Sequence, residues 1–142
     1  MAGSIRICLI AEGFTEDLIT CVDSITGNTK TPISIYANGK SNWISPDQFD
    51  SKQISLTQEK NPLGWGNVIN YFLNTFSEDY LLIMDTSTTF TADPIPQTLQ
   101  SLEVCNLNMM CSTYIFVDDL LKNIFDTLKS KWLQDFSCIH LC

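Results

Sequence analysis

The sequence predicts an α/β fold, a three-layer α/β/α domain whose central sheet is mostly parallel. Apolar runs of strand length alternate with amphipathic helical segments, which is the pattern of successive β-α-β units. The runs at 5–11 and 80–84 are apolar at nearly every position, as strands are when both faces of a sheet are covered. The second run ends abruptly in Asp85, and ligands bind beyond the carboxyl ends of the strands in such sheets.

The length and composition are those of one folded domain. The chain has 142 residues, of which 44% are hydrophobic, so we interpret residues 1–142 as a single domain with a sizeable core. The longest apolar runs are far shorter than a membrane span. Residues 1–15 lack the basic start and long apolar stretch of a signal peptide. We therefore expect a cytoplasmic protein with no direct membrane span.

The charge and the reactive residues exclude several classes of function. A formal net charge of −8 argues against nucleic acid as a partner, although a metal ion or a helix N-terminus can still attract a small phosphate ligand. His140 is the only histidine, which argues against a histidine-based zinc site or a Ser/His/Asp triad. Six cysteines could form three disulfides in a secreted protein, but their positions in apolar patterns favour reduced, buried thiols.

The first part of the chain predicts three strands and one helix. Residues 5–11 form the first strand, and a helix then begins at Thr15, a favourable N-cap followed by two acids. Gly27 and Asn28 end this helix. The run 33–37 is the second strand, and 53–56 is a short third strand after a polar loop.

The second part contains the most strongly amphipathic helix. After a turn at 61–64, apolar residues recur at steps of three and four and predict one broad core-facing stripe: Trp65, Val68, Ile69, Phe72, Leu73 and Phe76. The strand 80–84, the Asp85 loop and a short helix at 94–103 follow. A mixed strand at 108–117 and a last helix capped by Asp118 complete the prediction.

Two glycine motifs of nucleotide-binding proteins can be set aside. Gly64 and Gly66 at a helix start resemble half of a dinucleotide fingerprint, but Ile69 occupies the third glycine position. No GxxxxGK sequence is present, so there is no P-loop motif. Asp85 and the hydroxyl residues after it fit either a ligand site or an ordinary turn, and these residues alone do not decide between the two.

The order of the segments resembles the nucleotide-sugar-binding half of family-2 glycosyltransferases, inverting enzymes with the GT-A fold. Five segments resemble consecutive parts of that family: IRICLIAEGFTEDLITCVDSI, ISIYANGKSN, NPLGWGNVIN, YLLIMDTST and ADPIPQTL. They correspond to its first strand and helix, its second strand, its Asn/Gly-rich turn into a helix, the strand that ends in Asp-x-Asp, and the helix after it. The resemblance covers about residues 4–103.

The chain also departs from the family pattern. Ala37 stands where the second strand usually ends in an acid, which leaves Asn38 as the polar group there. Ser87 replaces the second acid of Asp-x-Asp, and a hydroxyl can ligate magnesium but adds no charge. The spacing from Asn61 to Gly64 is one residue longer than usual. The C-terminal part is short, and its only paired acids, Asp118 and Asp119, fit a helix cap better than a catalytic base.

The resemblance implies a role for each matched residue. Asp85 would bind the metal and the ribose, with Ser87 as a weak second metal ligand, and the metal would be Mg or Mn. Glu12 would lie near the nucleobase, and Asn38 would contact the base or the ribose. The other implied nucleotide-sugar-binding positions are Asn61 and Gly64 in the turn and Asn70 on the helix under the site. No residue matches the catalytic base.

The sequence therefore supports two hypotheses of different classes. The first is a glycosyltransferase-like domain that binds a nucleotide-diphosphate sugar and transfers the sugar, with inversion, to an acceptor hydroxyl that the residues do not identify. In this case another domain or subunit would complete the acceptor site. The alternative is a catalytically inactive GT-A-like domain that serves as an interaction or assembly module. Five residues favour the first hypothesis: Asp85, Asn61, Gly64, Asn38 and Asn70. Ala37, Ser87 and the missing base favour the second.

Overall fold

The computed structural model describes residues 3–13, 15–39, 44–49 and 51–104, which lie within one compact unit. The elements are β1 (Ile5–Ala11), α1 (Thr15–Asn28), β2 (Ile33–Asn38), a 3-10 helix (Pro46–Phe49), β3 (Ile54–Glu59), α2 (Trp65–Thr75), β4 (Tyr80–Asp85) and α3 (Ile95–Val104). The strands and α-helices occur in the predicted order, and the 3-10 helix lies in the segment predicted as a polar loop. The predicted strand at 108–117 and the last helix with Asp118 and Asp119 lie outside the described residues.

The described sheet has four parallel strands in the order β3-β2-β1-β4. In β1, Ile7 pairs with Ile33 of β2 on one side and with Leu82 of β4 on the other. The chain moves outward from β1 to β2 and β3, and then crosses the sheet to add β4 on the opposite side of β1. The predicted α/β class with a parallel sheet is therefore confirmed for this part of the chain.

Helices cover both faces of the sheet. On one face, Leu9 of β1 packs in a cluster with Leu18 and Ile25 of α1 and with Ile95 at the start of α3. On the other face, a second cluster joins β1, β2 and α2: Cys8, Ile10, Tyr36, Val68 and Phe72. Neighbouring residues of a strand point to opposite faces, so β1 contributes to both clusters. These contacts give the three-layer arrangement that the sequence predicts.

The apolar stripe of α2 is only partly core, which corrects the prediction. Val68 and Phe72 are fully buried, whereas Trp65 is 43% exposed and Leu73 is 59% exposed. Leu73 lies at the rim of the stripe, because its position is rotated by about 100° from that of Phe72 around the helix axis. Trp65 is the first residue of the helix, next to the carboxyl ends of the strands rather than over the middle of the sheet.

Strand β4 is also less buried than its sequence predicts. Its residues from Tyr80 to Met84 are half-buried, and Asp85 is exposed. The apolar run predicts an interior strand, but β4 is an edge strand of the described sheet. Within the described residues, no helix is long and apolar enough to cross a membrane.

We expect the two neighbouring residues Phe72 and Leu73 to respond very differently to substitution. Phe72→Ala removes a ring that packs against Tyr36 at a centroid distance of 6.2 Å and should cost about 3–5 kcal/mol in unfolding free energy. Leu73→Ala should change it by no more than about 0.5 kcal/mol, because the side chain is mostly in solvent. Urea denaturation measures both values. Equal losses would show that the buried face of α2 is assigned wrongly.

We also expect the described thiols to be unreactive in the native protein. Cys8 and Cys21 are free and fully buried, and burial raises the pKa of each to about 12. Native-state alkylation should therefore be slow at both positions, and labelling in denaturant should be fast. The pKa of each thiol is raised from 9.0, because the neutral form is the one that is buried. The contribution of the two buried thiols to the unfolding free energy is therefore fully present below pH 9 and declines as the pH rises towards 12. Rapid native labelling at pH 8 would contradict this assignment.

Candidate functional site

The carboxyl ends of the four parallel strands bring polar residues to one edge of the sheet. Asn38, Glu59 and Asp85 are the last residues of β2, β3 and β4, and Glu12 directly follows β1. Helix α1 leaves β1 over one face, whereas α2 reaches β4 over the other face. The gap between the ends of β1 and β4 is thus a topological switch point, where ligands bind in open α/β sheets.

The side chain of Asn38 makes two hydrogen bonds to the backbone of the turn before α2. Its Nδ2 donates to the carbonyl oxygen of Leu63 at 2.8 Å, and the Leu63 N–H donates to its Oδ1 at 2.8 Å. The donor and acceptor of Leu63 together determine which atom of the amide is oxygen and which is nitrogen. Asn38 is only 3% exposed, so this amide is a buried link between the end of β2 and the start of α2.

Glu12 extends the same network towards Trp65. Its Oε1 accepts a short hydrogen bond from Nδ2 of Asn38, and its Oε2 accepts one from the indole Nε1 of Trp65 at 2.8 Å. Both partners are donors, so the group between them has to accept twice, which the two oxygens of the Glu12 carboxyl group do. We refer to Glu12, Asn38, Leu63 and Trp65 as the edge network. It joins residues that are up to 53 positions apart in the sequence.

Two glycines allow the strand ends to turn next to this network. Gly39 has φ +108° and donates its N–H to the carbonyl oxygen of Glu59 at 2.7 Å. Gly13, directly after Glu12, has φ +138°. L residues with a side chain are strained at such angles, so glycine lets β1 and β2 turn immediately after their last paired residues.

Asp85 and Ser87 contact each other at the end of β4. The backbone N–H of Ser87 donates to Oδ1 of Asp85 at 2.8 Å, and the Ser87 hydroxyl donates a short hydrogen bond to the same oxygen. This is an Asx-type turn, which is the alternative that the sequence left open for these residues. Asp85 aligns with Ile10 of β1, so it ends beside the strand that leads into Glu12.

The donor set at Asp85 fits a divalent cation only together with ligand phosphates. No cluster of three or more histidine, cysteine, aspartate or glutamate residues that could bind a metal occurs within the described ranges. One carboxylate and one hydroxyl are oxygen donors of the kind that Mg²⁺ accepts, and Mg²⁺ is commonly held by one or two carboxylates plus substrate phosphates. Asp85 and Ser87 therefore suit a shared site rather than a site built from protein ligands alone.

The remaining predicted site residues are less closely associated. Gly64 is the N-cap of α2 and lies between the two network residues Leu63 and Trp65. Asn61 is exposed, and its N–H donates to Oε1 of Glu59 at 3.3 Å. Asn70 is exposed in the middle of α2 and is not part of the edge network. The structure thus joins Glu12 to Asn38, and Asp85 to Ser87, but does not bring Asn70 to either pair.

Trp65 and Leu63 are the site residues that the sequence analysis missed. Trp65 fits the apolar stripe of α2 by its spacing, and this led to its assignment to the core. A usable signal was its place directly after Gly64, at the first position of a helix that follows a strand end. Leu63 acts through its backbone, so its side-chain type contains no information about this role.

The comparisons with known proteins do not identify a relative of this chain. No protein-family model matches it, and a search of curated proteins finds no significant match. The functional assignment therefore depends on the residues at the carboxyl edge and on their geometry.

Asn38→Asp should destabilise the protein even though the two side chains have nearly the same shape. The aspartate keeps an acceptor for the Leu63 N–H, but it loses the donor to the Leu63 carbonyl and places a second carboxylate beside Glu12. We expect a loss of about 2 kcal/mol or more in unfolding free energy. Asn70→Asp, at an exposed position, is the matched control and should stay within about 0.5 kcal/mol. Similar values for the two variants in urea denaturation would contradict a structural role for the Asn38 amide.

Proposed function

We propose that this protein is a GT-A-like domain that binds a nucleotide-diphosphate sugar at the carboxyl edge of its sheet. The observation that supports this most is the convergence of Glu12, Asn38 and Asp85 at the ends of three adjacent parallel strands. In this arrangement the nucleoside lies towards Glu12 and Asn38. The diphosphate lies towards Asp85 and Ser87, at the switch point between β1 and β4.

The charge of the site makes a cation part of this proposal. Glu12 and Asp85 are acids, and a diphosphate beside them would be repelled unless its charge is compensated. Asp85 and Ser87 would hold Mg or Mn jointly with the phosphates. When bound, the cation neutralises the diphosphate and makes it a better leaving group. Asp85 also accepts two hydrogen bonds from Ser87, which keep the two potential cation ligands next to each other at the end of β4.

The proposed reaction is transfer of the sugar to an acceptor hydroxyl with inversion. The acceptor oxygen forms a bond to the anomeric carbon while the bond from that carbon to the diphosphate breaks, and the hydroxyl proton passes to a base. We assign the base to none of the described residues. We propose that another domain or subunit completes the acceptor site. The two buried free thiols support a reducing compartment such as the cytoplasm.

The second candidate is a domain of the same fold that serves as an interaction module. The observation in its favour is that the polar groups at the edge are bonded to one another. Asn38 is held by Leu63, Glu12 lies between Asn38 and Trp65, and Asp85 accepts from Ser87. All buried side-chain polar atoms in the described ranges have a partner. A hydrogen-bond network of this kind can serve the stability of the fold alone, without a ligand.

A titration with nucleotides separates the two candidates. The parent protein is titrated with UDP, GDP and their sugar derivatives by calorimetry, with and without manganese. Nucleotide-sugar binding predicts an interaction that manganese strengthens and that Asp85→Asn reduces to the level without metal. Asp93→Asn is the control, because Asp93 is an exposed acid that caps the start of α3 and lies outside the proposed site. No binding of any of these nucleotides under either condition would favour the interaction module.

Ser87→Asp should have opposite effects under the two candidate functions. In a nucleotide site, a second carboxylate beside Asp85 adds a hard anionic ligand, and manganese-dependent nucleotide binding should tighten roughly tenfold. In an interaction module, two carboxylates without a cation repel each other, so the variant should be slightly less stable and manganese should have little effect. Thermal unfolding with and without manganese, together with the titration, measures both quantities.

A further inference from the structure

We infer that the indole of Trp65 is the surface on which the nucleobase of the bound nucleotide stacks. This inference rests on the nucleotide binding proposed above and assigns the base-binding residue of that site. Trp65 is 43% exposed although its spacing places it on the apolar face of α2. It stands at the carboxyl edge of the sheet, at the same end as Glu12 and Asn38.

The ring is held in one orientation by bonds that lead back to the sheet. Its Nε1–H donates to Glu12, Glu12 also accepts from Asn38, and Asn38 is paired with both backbone groups of Leu63. The only polar atom of the indole is thereby engaged. What the ring offers to a ligand is therefore its aromatic surface, and it is held in place before the ligand arrives.

Part of the indole surface faces solvent. Trp65 stands between Gly64 and Gly66, and neither neighbour has a side chain that could cover the ring. An indole that served only to fill the core would be enclosed by neighbouring side chains, as Phe72 is. The 43% exposure of Trp65 leaves indole surface for a planar ligand ring to contact.

The charge beside the ring favours a base over a phosphate at this position. The Glu12 carboxylate, which accepts from the ring, would repel a phosphate but not an uncharged heterocycle. Every nucleobase has a π face, and stacking on an aromatic side chain is a general mode of base binding. The base then lies at the start of α2 and the phosphates at the end of β4, both at the carboxyl edge of the sheet.

The fluorescence of Trp65 tests this directly. The chain has three tryptophans, and the double variant Trp43→Phe, Trp132→Phe retains Trp65 as the only one. We expect UDP or GDP, with manganese, to quench and shift its emission, because the base covers the ring. Inorganic pyrophosphate, which has no base, should leave the emission unchanged. Equal responses to pyrophosphate and to the nucleoside diphosphates would overturn the inference.

The affinity of Trp65 variants gives the second measurement. Trp65→Leu should weaken UDP or GDP binding roughly tenfold to a hundredfold, while binding of pyrophosphate should not change. Trp65→Phe, which keeps an aromatic face but lacks the N–H bond to Glu12, should lose much less. Leu73→Ala, at an exposed apolar position of the same helix, is the control and should bind like the parent. Circular dichroism confirms that each variant is folded.

The failure of this inference can be told apart from failure of the proposed function. If the parent protein binds neither UDP nor GDP, both are wrong. If the parent binds them, with the expected dependence on Asp85, but Trp65→Leu binds equally well, nucleotide binding stands and the stacking role of Trp65 is wrong. Should Trp65→Leu fail to fold, the fluorescence of the single-tryptophan protein decides the question.

Discussion

The structure depends first on the burial of β1 between two parallel strands and two helical layers. Its residues from Ile7 to Ala11 are at most 2% exposed, and each face of the strand packs against a different cluster. A strand covered on both faces and paired on both sides has little freedom to shift, because a slip of one residue would reverse all its side chains. The position of Glu12, between the ends of β2 and β4, is a consequence of this arrangement.

The Asn38 amide has a comparable role for the start of α2. It is a buried polar group whose donor and acceptor are both used by the backbone of Leu63, so the turn before α2 cannot move away without leaving buried groups unpaired. The first residue of α2 is thereby positioned against the sheet edge. The same amide donates to Glu12, so one side chain links the order of the strands to the orientation of Trp65.

Two hydrogen-bonded pairs at the carboxyl edge, Glu12–Asn38 and Asp85–Ser87, differ in how they could respond to a ligand. Asn38 is buried and closely paired, which suits a group that positions others. Asp85 is exposed, and its partner Ser87 lies two residues away in the same turn, so this pair can rearrange with a small local change. In the proposed site, the preformed part therefore lies at the nucleoside, and the adaptable part lies at the diphosphate and its cation.

The amino-acid pattern by itself determined the elements, their order and the parallel, three-layer arrangement of the described residues, because apolar periodicity and turn residues are local properties. It also brought Asp85 forward, as an acid at a strand end, whereas Asn38 became a candidate only through the family resemblance. Only the tertiary structure decided that β4 is an edge strand of the described sheet, that Trp65 is exposed, and that Glu12 contacts Asn38 and Trp65. These facts depend on which strands become neighbours and on where a helix begins relative to the sheet. Glu12 is 26 positions from Asn38 and 53 positions from Trp65, and no local sequence pattern predicts contacts between residues so far apart.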